Sequence, residues 1–147
     1  MHGPDLVQHL EPACTEVLET MFFTSVLEVG TGGEPAATPA VSSCLAFHGS
    51  TSGFFRVATS EEAAHSLAAA FLGEDEHDLP TEKRGEVICE MANMLCGSFL
   101  SRFGGESVFD LSHPELGSDP LEHADAMARF QLPEGEIVVS VRLEGPV

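Results

Sequence analysis

Apolar positions along this chain recur with two periods, one helical and one alternating. Cys14, Leu18, Met21 and Phe22 repeat at three- and four-residue spacing, which predicts a helix over about Asp5–Val26 with Pro12 in the first turn of its main segment. Gly30 to Pro39 is rich in Gly, Pro and Thr and reads as a loop or irregular edge. Val41–His48 and Gly53–Ala58 read as two strands joined by the small residues of Gly49–Gly53, a hairpin-type turn. A second helix is expected to open at Thr59, where Thr59-Ser60-Glu61-Glu62 has capping-box spacing, and to close at Gly73. Its apolar face is Ala64, Leu67, Ala68 and Phe71.

Acidic Glu74–Asp78 makes a solvated loop ended by Pro80, and a long third helix follows from about Thr81 to Phe103, stopped by Gly104-Gly105. Ile88, Met91, Leu95 and Phe99 form its apolar stripe. Further strands are expected at Ser107–Leu111, Ala124–Leu132 and Glu136–Leu143, the last two joined by a turn at Pro133-Glu134-Gly135. Strands in hairpins with helices grouped apart indicate an α+β fold, an antiparallel sheet covered on one face by helices. At 147 residues, one domain spanning 1–147 is the expectation.

Composition narrows the function classes. Hydrophobic residues make up 43% without a run of about 18 apolar positions, and Met1-His2-Gly3-Pro4 does not open a signal peptide, so a soluble cytoplasmic protein is expected. The net charge of −18, from 24 acidic against six basic residues, repels phosphate backbones and anionic membranes. Nucleic acid and membrane are therefore not the expected partners, and a protein with a basic face is better suited. Cys14, Cys44, Cys89 and Cys96 contain no C-x-x-C pair, and the seven histidines contain no H-x-x-x-H pair. Free thiols and no metal site are the expectation.

One residue sits against the grain of its element. The only asparagine, Asn93, falls inside the strongest predicted helix, where its amide competes for backbone hydrogen bonds. With Glu86, Glu90 and Gly97 it lines one helix face, since these positions are separated by four, three and four residues. Taken alone, Glu-x-x-Asn occurs on many helices, and a merely solvated face is the plainer account. Three features add to it: the small Gly97 leaves space beside the amide, Glu86 extends the acidic stripe, and Leu111-Ser112-His113-Pro114-Glu115-Leu116-Gly117 follows a strand that would bring Pro114 towards the helix.

On these residues the chain resembles the CheX/CheC family of chemotaxis phosphatases, in particular its single-site CheX-like branch. The family pattern is an acidic or serine residue, three residues, Glu, two residues, Asn, and a proline some twenty residues on; Glu86, Glu90, Asn93 and Pro114 match it. The strands around Gly49 and Gly53 and the alanine-rich helix ending Phe71-Leu72-Gly73 agree as well, so the likeness runs from about Leu10 to Val141. Glu86 stands where Asp or Ser is usual, and the Asn93–Pro114 spacing is slightly short.

The resemblance implies a phosphatase acting on the aspartyl phosphate of a CheY-like receiver protein, with Glu90 and Asn93 catalytic and with Glu86, Gly97 and Pro114 docking the substrate. It implies no cofactor of the chain's own, the Mg²⁺ being supplied by the receiver. It also implies a homodimer paired through the sheet, for which Glu136–Leu143, with Ile137, Val139 and Val141 alternating, is the candidate edge. The alternative is a non-catalytic receiver-binding or assembly module of the same fold, as in the middle domain of the flagellar switch protein, which lacks the Glu-x-x-Asn pair.

Overall fold

The chain, seen in a computed structural model that describes residues 3–31, 40–105, 107–117 and 119–144, alternates helices and strands in the order the periodicities suggest. Its elements are α1 (Gly3–Met21), β1 (Glu28–Thr31), β2 (Ala40–His48), β3 (Ser52–Ser60), α2 (Glu61–Leu72), α3 (Glu82–Phe103), β4 (Asp110–Leu111), β5 (Glu115–Leu116), β6 (Ala126–Leu132) and β7 (Gly135–Glu144). The strands form one sheet, ordered β1-β6-β7-β3-β2-β4 with β5 also on β2, and every pairing is antiparallel. The α+β expectation holds.

Alternation on the long strands decides which face is dry. Phe55 and Val57 on β3, Ala128 and Phe130 on β6, and Val139 and Val141 on β7 enter the core with the helices. Some intervening positions carry polar groups, the Arg129 guanidinium donating to Glu136 Oε1 at 2.9 Å and Gln131 Nε2 donating to Glu136 Oε2 at 2.6 Å, while Ala58 and Val138 on the central strands are buried on that side as well. The middle helix is α3, packed against β2 and β3 with α1 and α2 on its flanks. Its buried residues include Ile88, Met91, Leu95 and Phe99, the stripe read from sequence. Each such side chain removed from water contributes about 1.5–3 kcal/mol.

Several boundaries differ from expectation, each for a local reason. Helix α1 ends at Met21, five residues earlier than predicted, because Phe23 adopts φ 55°. It begins at Gly3 and runs through Pro12, which therefore stands in the interior rather than the first turn. Burial of Leu6 and Leu10 on the same face as Cys14 and Leu18 extends the helix across the proline. The α2 cap is Ser60, whose hydroxyl accepts from Ala63 N at 3.1 Å, not Thr59. Thr59 is buried in β3 and donates its hydroxyl to the Glu136 carbonyl at 2.7 Å. Gly73 closes α2 in the left-handed conformation, as expected.

The strand predicted over Ser107–Leu111 shrinks to β4, and the one over Ala124–Leu132 starts at Ala126. Strands β1 and β5 were not anticipated; both are short and mostly exposed, so they carry no alternating apolar signal. Most of the predicted loop over Gly30 to Pro39 lies outside the described residues. Finally, Glu136–Leu143 is not an edge. Strand β7 is paired on both sides, with β6 and with β3, so its backbone groups are used within the sheet.

Candidate functional site

Helix α3 divides its residues sharply by face. Val87, Ile88, Met91, Ala92, Leu95 and Cys96 are buried, whereas Glu86, Glu90 and Asn93 are exposed and Gly97 is half-buried. The core-facing side is dry enough that burial, with the nearby Cys44 adding to it, drives the Cys96 thiol far above its ordinary pKa. The same holds for Cys14, raised by burial and then by Cys96. A helix held this way on one side presents the other as a fixed platform. At 1.5 Å per residue, Glu90 and Asn93 stand about 4.5 Å apart along the axis, close enough for one small group to touch both.

Among the described residues, neither the Asn93 carboxamide nor the Glu90 carboxylate has a hydrogen-bonding or ionic partner. Glu86 differs: its carboxylate meets Lys83 Nζ at 3.3 Å across one exposed turn, a contact worth little. At Gly97 an added Cβ would meet nothing within 4 Å, so the space beside Asn93 is open.

Residues 111–117 form a strap that crosses from β4 to β5 beside α3. Ser112 N donates to the Ala46 carbonyl and the Ser112 hydroxyl accepts from Ala46 N, both at 2.8 Å. Farther on, Leu116 pairs with Ser43 in register, and Gly117 N donates to the Ser42 carbonyl at 3.0 Å. Two contacts tie the strap to the helix. The Cys89 thiol accepts from the Ser43 hydroxyl at 3.4 Å and donates to the Pro114 carbonyl at 3.9 Å. Leu116 sits over Gly85, where a Cβ would lie only 2.6 Å from Leu116 Cδ1. Pro114 is thereby brought to the helix.

Between the strap, α3 and the end of α2 lies a cleft of about 570 Å³. Its walls are largely apolar, from Phe71, Leu72, Val87, Pro114 and Leu116, with Glu86 and Glu90 among its polar groups. The structure therefore brings Glu86, Glu90 and Pro114 to one cleft, while Asn93 and Gly97 continue the same helix face beyond it. Cys89, Gly85 and Leu116 escaped the sequence reading. Gly85 and Cys89 stand one turn apart on α3, but nothing in the spacing points to Leu116, because only the β2–β5 register brings it to them. Among the described residues no group of three or more His, Cys, Asp or Glu side chains is placed to hold a metal ion, and no helix is long and apolar enough to cross a membrane.

Comparison with known proteins bears on this geometry. The family described as Chemotaxis phosphatase CheX matches residues 41–132, a span that includes Glu86, Glu90, Asn93 and Pro114. No curated protein sequence matches the chain at a significant level. Among solved structures, a chemotaxis protein CheX from Desulfovibrio desulfuricans aligns with TM-score 0.74 at 21% identity, over 95% of this chain and 99% of that one. CheX from the CheX–CheY–BeF3–Mg²⁺ complex of Borrelia burgdorferi aligns with TM-score 0.72 at 23% identity, over 95% and 97% of the two chains. The middle domain of FliM from Vibrio alginolyticus shares the fold more distantly, with TM-score 0.57 at 11% identity over 92% and 89%. At these identities the structural likeness establishes the fold.

Proposed function

The chain belongs to the CheX family of chemotaxis phosphatases, and from that premise we propose that it hydrolyses the aspartyl phosphate of a CheY-like receiver protein through Glu90 and Asn93. The observation that carries this reading is the exposed Glu90–Asn93 pair, without partners among the described residues, on a helix whose other face is locked into the core. An unpaired asparagine at an exposed helix position contributes nothing to folding that alanine would not, so its use lies outside the chain.

The chemistry suits these groups. Hydrolysis of an acyl phosphate requires a water in line with phosphorus, and the receiver's own Mg²⁺ neutralises the developing charge on the phosphoryl oxygens. A carboxamide donates and accepts hydrogen bonds without titrating, so Asn93 holds that water at any ordinary pH. Restricting the water to near-attack geometry is worth a few powers of ten in rate. Glu90, one turn away, pairs with a lysine at the receiver's phosphorylation site and fixes the docking register. Glu86 and Pro114, on the same cleft, and Gly97, where nothing blocks approach, complete the docking face. The CheX–CheY–BeF3–Mg²⁺ complex of the Borrelia relative supports the choice of partner.

The homodimer belongs to the same reading. Since β7 is internal, we assign the pairing to β1, an outer strand among the described residues that is preceded by the exposed side chains of Phe23 and Leu27.

The test is the half-life of a radiolabelled phosphorylated receiver from the same organism. Addition of the parent protein shortens it and Asn93→Ala does not. Equal half-lives with parent and variant would favour the non-catalytic module instead.

A further inference from the structure

The apolar cleft beside Glu90 has no role in positioning water, yet its composition is unusual for the surface of so acidic a chain. Leu72 is 42% exposed and Leu116 is 53% exposed, and both line the cleft together with Phe71, Val87 and Pro114. Isolated exposed leucines need no explanation, but five apolar groups lining one concavity mark a contact surface. The walls are also built rather than incidental. Leu116 lies on Gly85, the one helical position where a missing Cβ admits its Cδ1, and the strap carrying it is hydrogen-bonded to β2 at both ends.

Building on the function proposed above, we infer that this cleft is the apolar half of the receiver-docking surface, taking a large apolar side chain that projects from the receiver beside the lysine met by Glu90. Two observations select that occupant. The cleft is continuous with the catalytic stripe, because Glu86 and Glu90 line it and Asn93 lies one turn on. Its charged groups are two carboxylates against one lysine, and that lysine is already paired with Glu86, so the rim favours an apolar group flanked by positive charge. A second copy of this chain, with its net charge of −18, would bring like charge to the same rim. Leu116 is the specificity-determining wall, and Gly85 is the positioning residue that seats it.

The experiment loads each single-domain receiver of the source organism with beryllofluoride and Mg²⁺ and measures its affinity for the full chain, alongside turnover of the phosphorylated form. Leu116→Gln and Leu72→Gln remove apolar wall without altering charge, and both side chains lie outside the buried core, with a melting temperature close to the parent's checking that each variant is folded. Each is expected to weaken binding by about tenfold, the scale of one well-packed contact, with turnover at saturation within a few-fold of the parent. Gly85→Ala should weaken binding in the parent background but not in Leu116→Ala, where no Cδ1 remains to be displaced. That non-additivity is not expected of a general loss of helix stability. Binding of Leu116→Gln within twofold of parent, while parent dephosphorylates the receiver, would overturn the cleft inference alone. Failure of the parent to dephosphorylate any receiver would overturn the phosphatase reading and this inference with it. Conversion of a dimer to a monomer by Leu116→Gln, read by light scattering, would assign the cleft to a second copy and overturn it too.

Discussion

Replacing Asn93 by alanine should make this protein more stable and nearly inactive. Asn93 is exposed in the middle of a 22-residue helix and has no hydrogen bond among the described residues, so its removal breaks no polar contact with them. What remains is intrinsic helix propensity, in which alanine exceeds asparagine by up to about 0.7 kcal/mol. For a domain of this size each kcal/mol moves the melting temperature by about 2–4 °C, so a gain of about 1–3 °C is expected. Activity moves the other way: losing the group that holds water should lower dephosphorylation by about a hundredfold or more, with receiver affinity within a few-fold. Thermal and urea denaturation give the first quantity. Decay of a labelled phosphoreceiver, with affinity measured on the beryllofluoride form, gives the second. A destabilisation beyond about 1 kcal/mol would mean that Asn93 supports the fold, and an unchanged rate would mean that it does not position water. Either result refutes the argument that its cost to the helix is balanced by a function outside it.

Leu95→Ala, two residues along but fully buried, should show the reverse pattern, costing about 2–5 kcal/mol in urea denaturation while the folded fraction stays active. Glu90→Gln should weaken receiver binding, and the loss should be larger at low salt than at high salt, as read by titration at two ionic strengths. Stability should fall with alkaline pH: the Cys14 and Cys96 thiols stay protonated in the fold but ionise in the unfolded chain above about pH 8.5, so each removes about 1.4 kcal/mol per pH unit beyond it, and Cys14→Ala should flatten a denaturation series from pH 8 to 10.5. A thiol count without reductant should find all four cysteines after unfolding, with Cys14 and Cys96 unreactive before it.

Much of the molecule was legible in the residues themselves. The helical stripe Ile88, Met91, Leu95 and Phe99 predicts which side of α3 enters the core, and so which side carries Glu86, Glu90 and Asn93. Period-two alternation located β7, and the turn glycines located the hairpins, because these signals are local and concern one element at a time. Local signals fail where elements compete or meet. Thr59 and Ser60 both suit a helix cap, and only the pairing of β3 with β7 draws Thr59 into the sheet and leaves the cap to Ser60. The strand at Glu136–Leu143 alternates as an edge strand would, but whether a strand is an edge depends on its neighbours, and β7 has two. The cleft is the clearest case. Gly85, Cys89 and Leu116 look unremarkable along the chain, and they become a wall only when the β2–β5 register lays the strap across α3. The sequence by itself determined which helix face is presented to a partner; the tertiary structure decided what stands beside it, since contacts between residues 25 or more positions apart are set by sheet register and not by any local period.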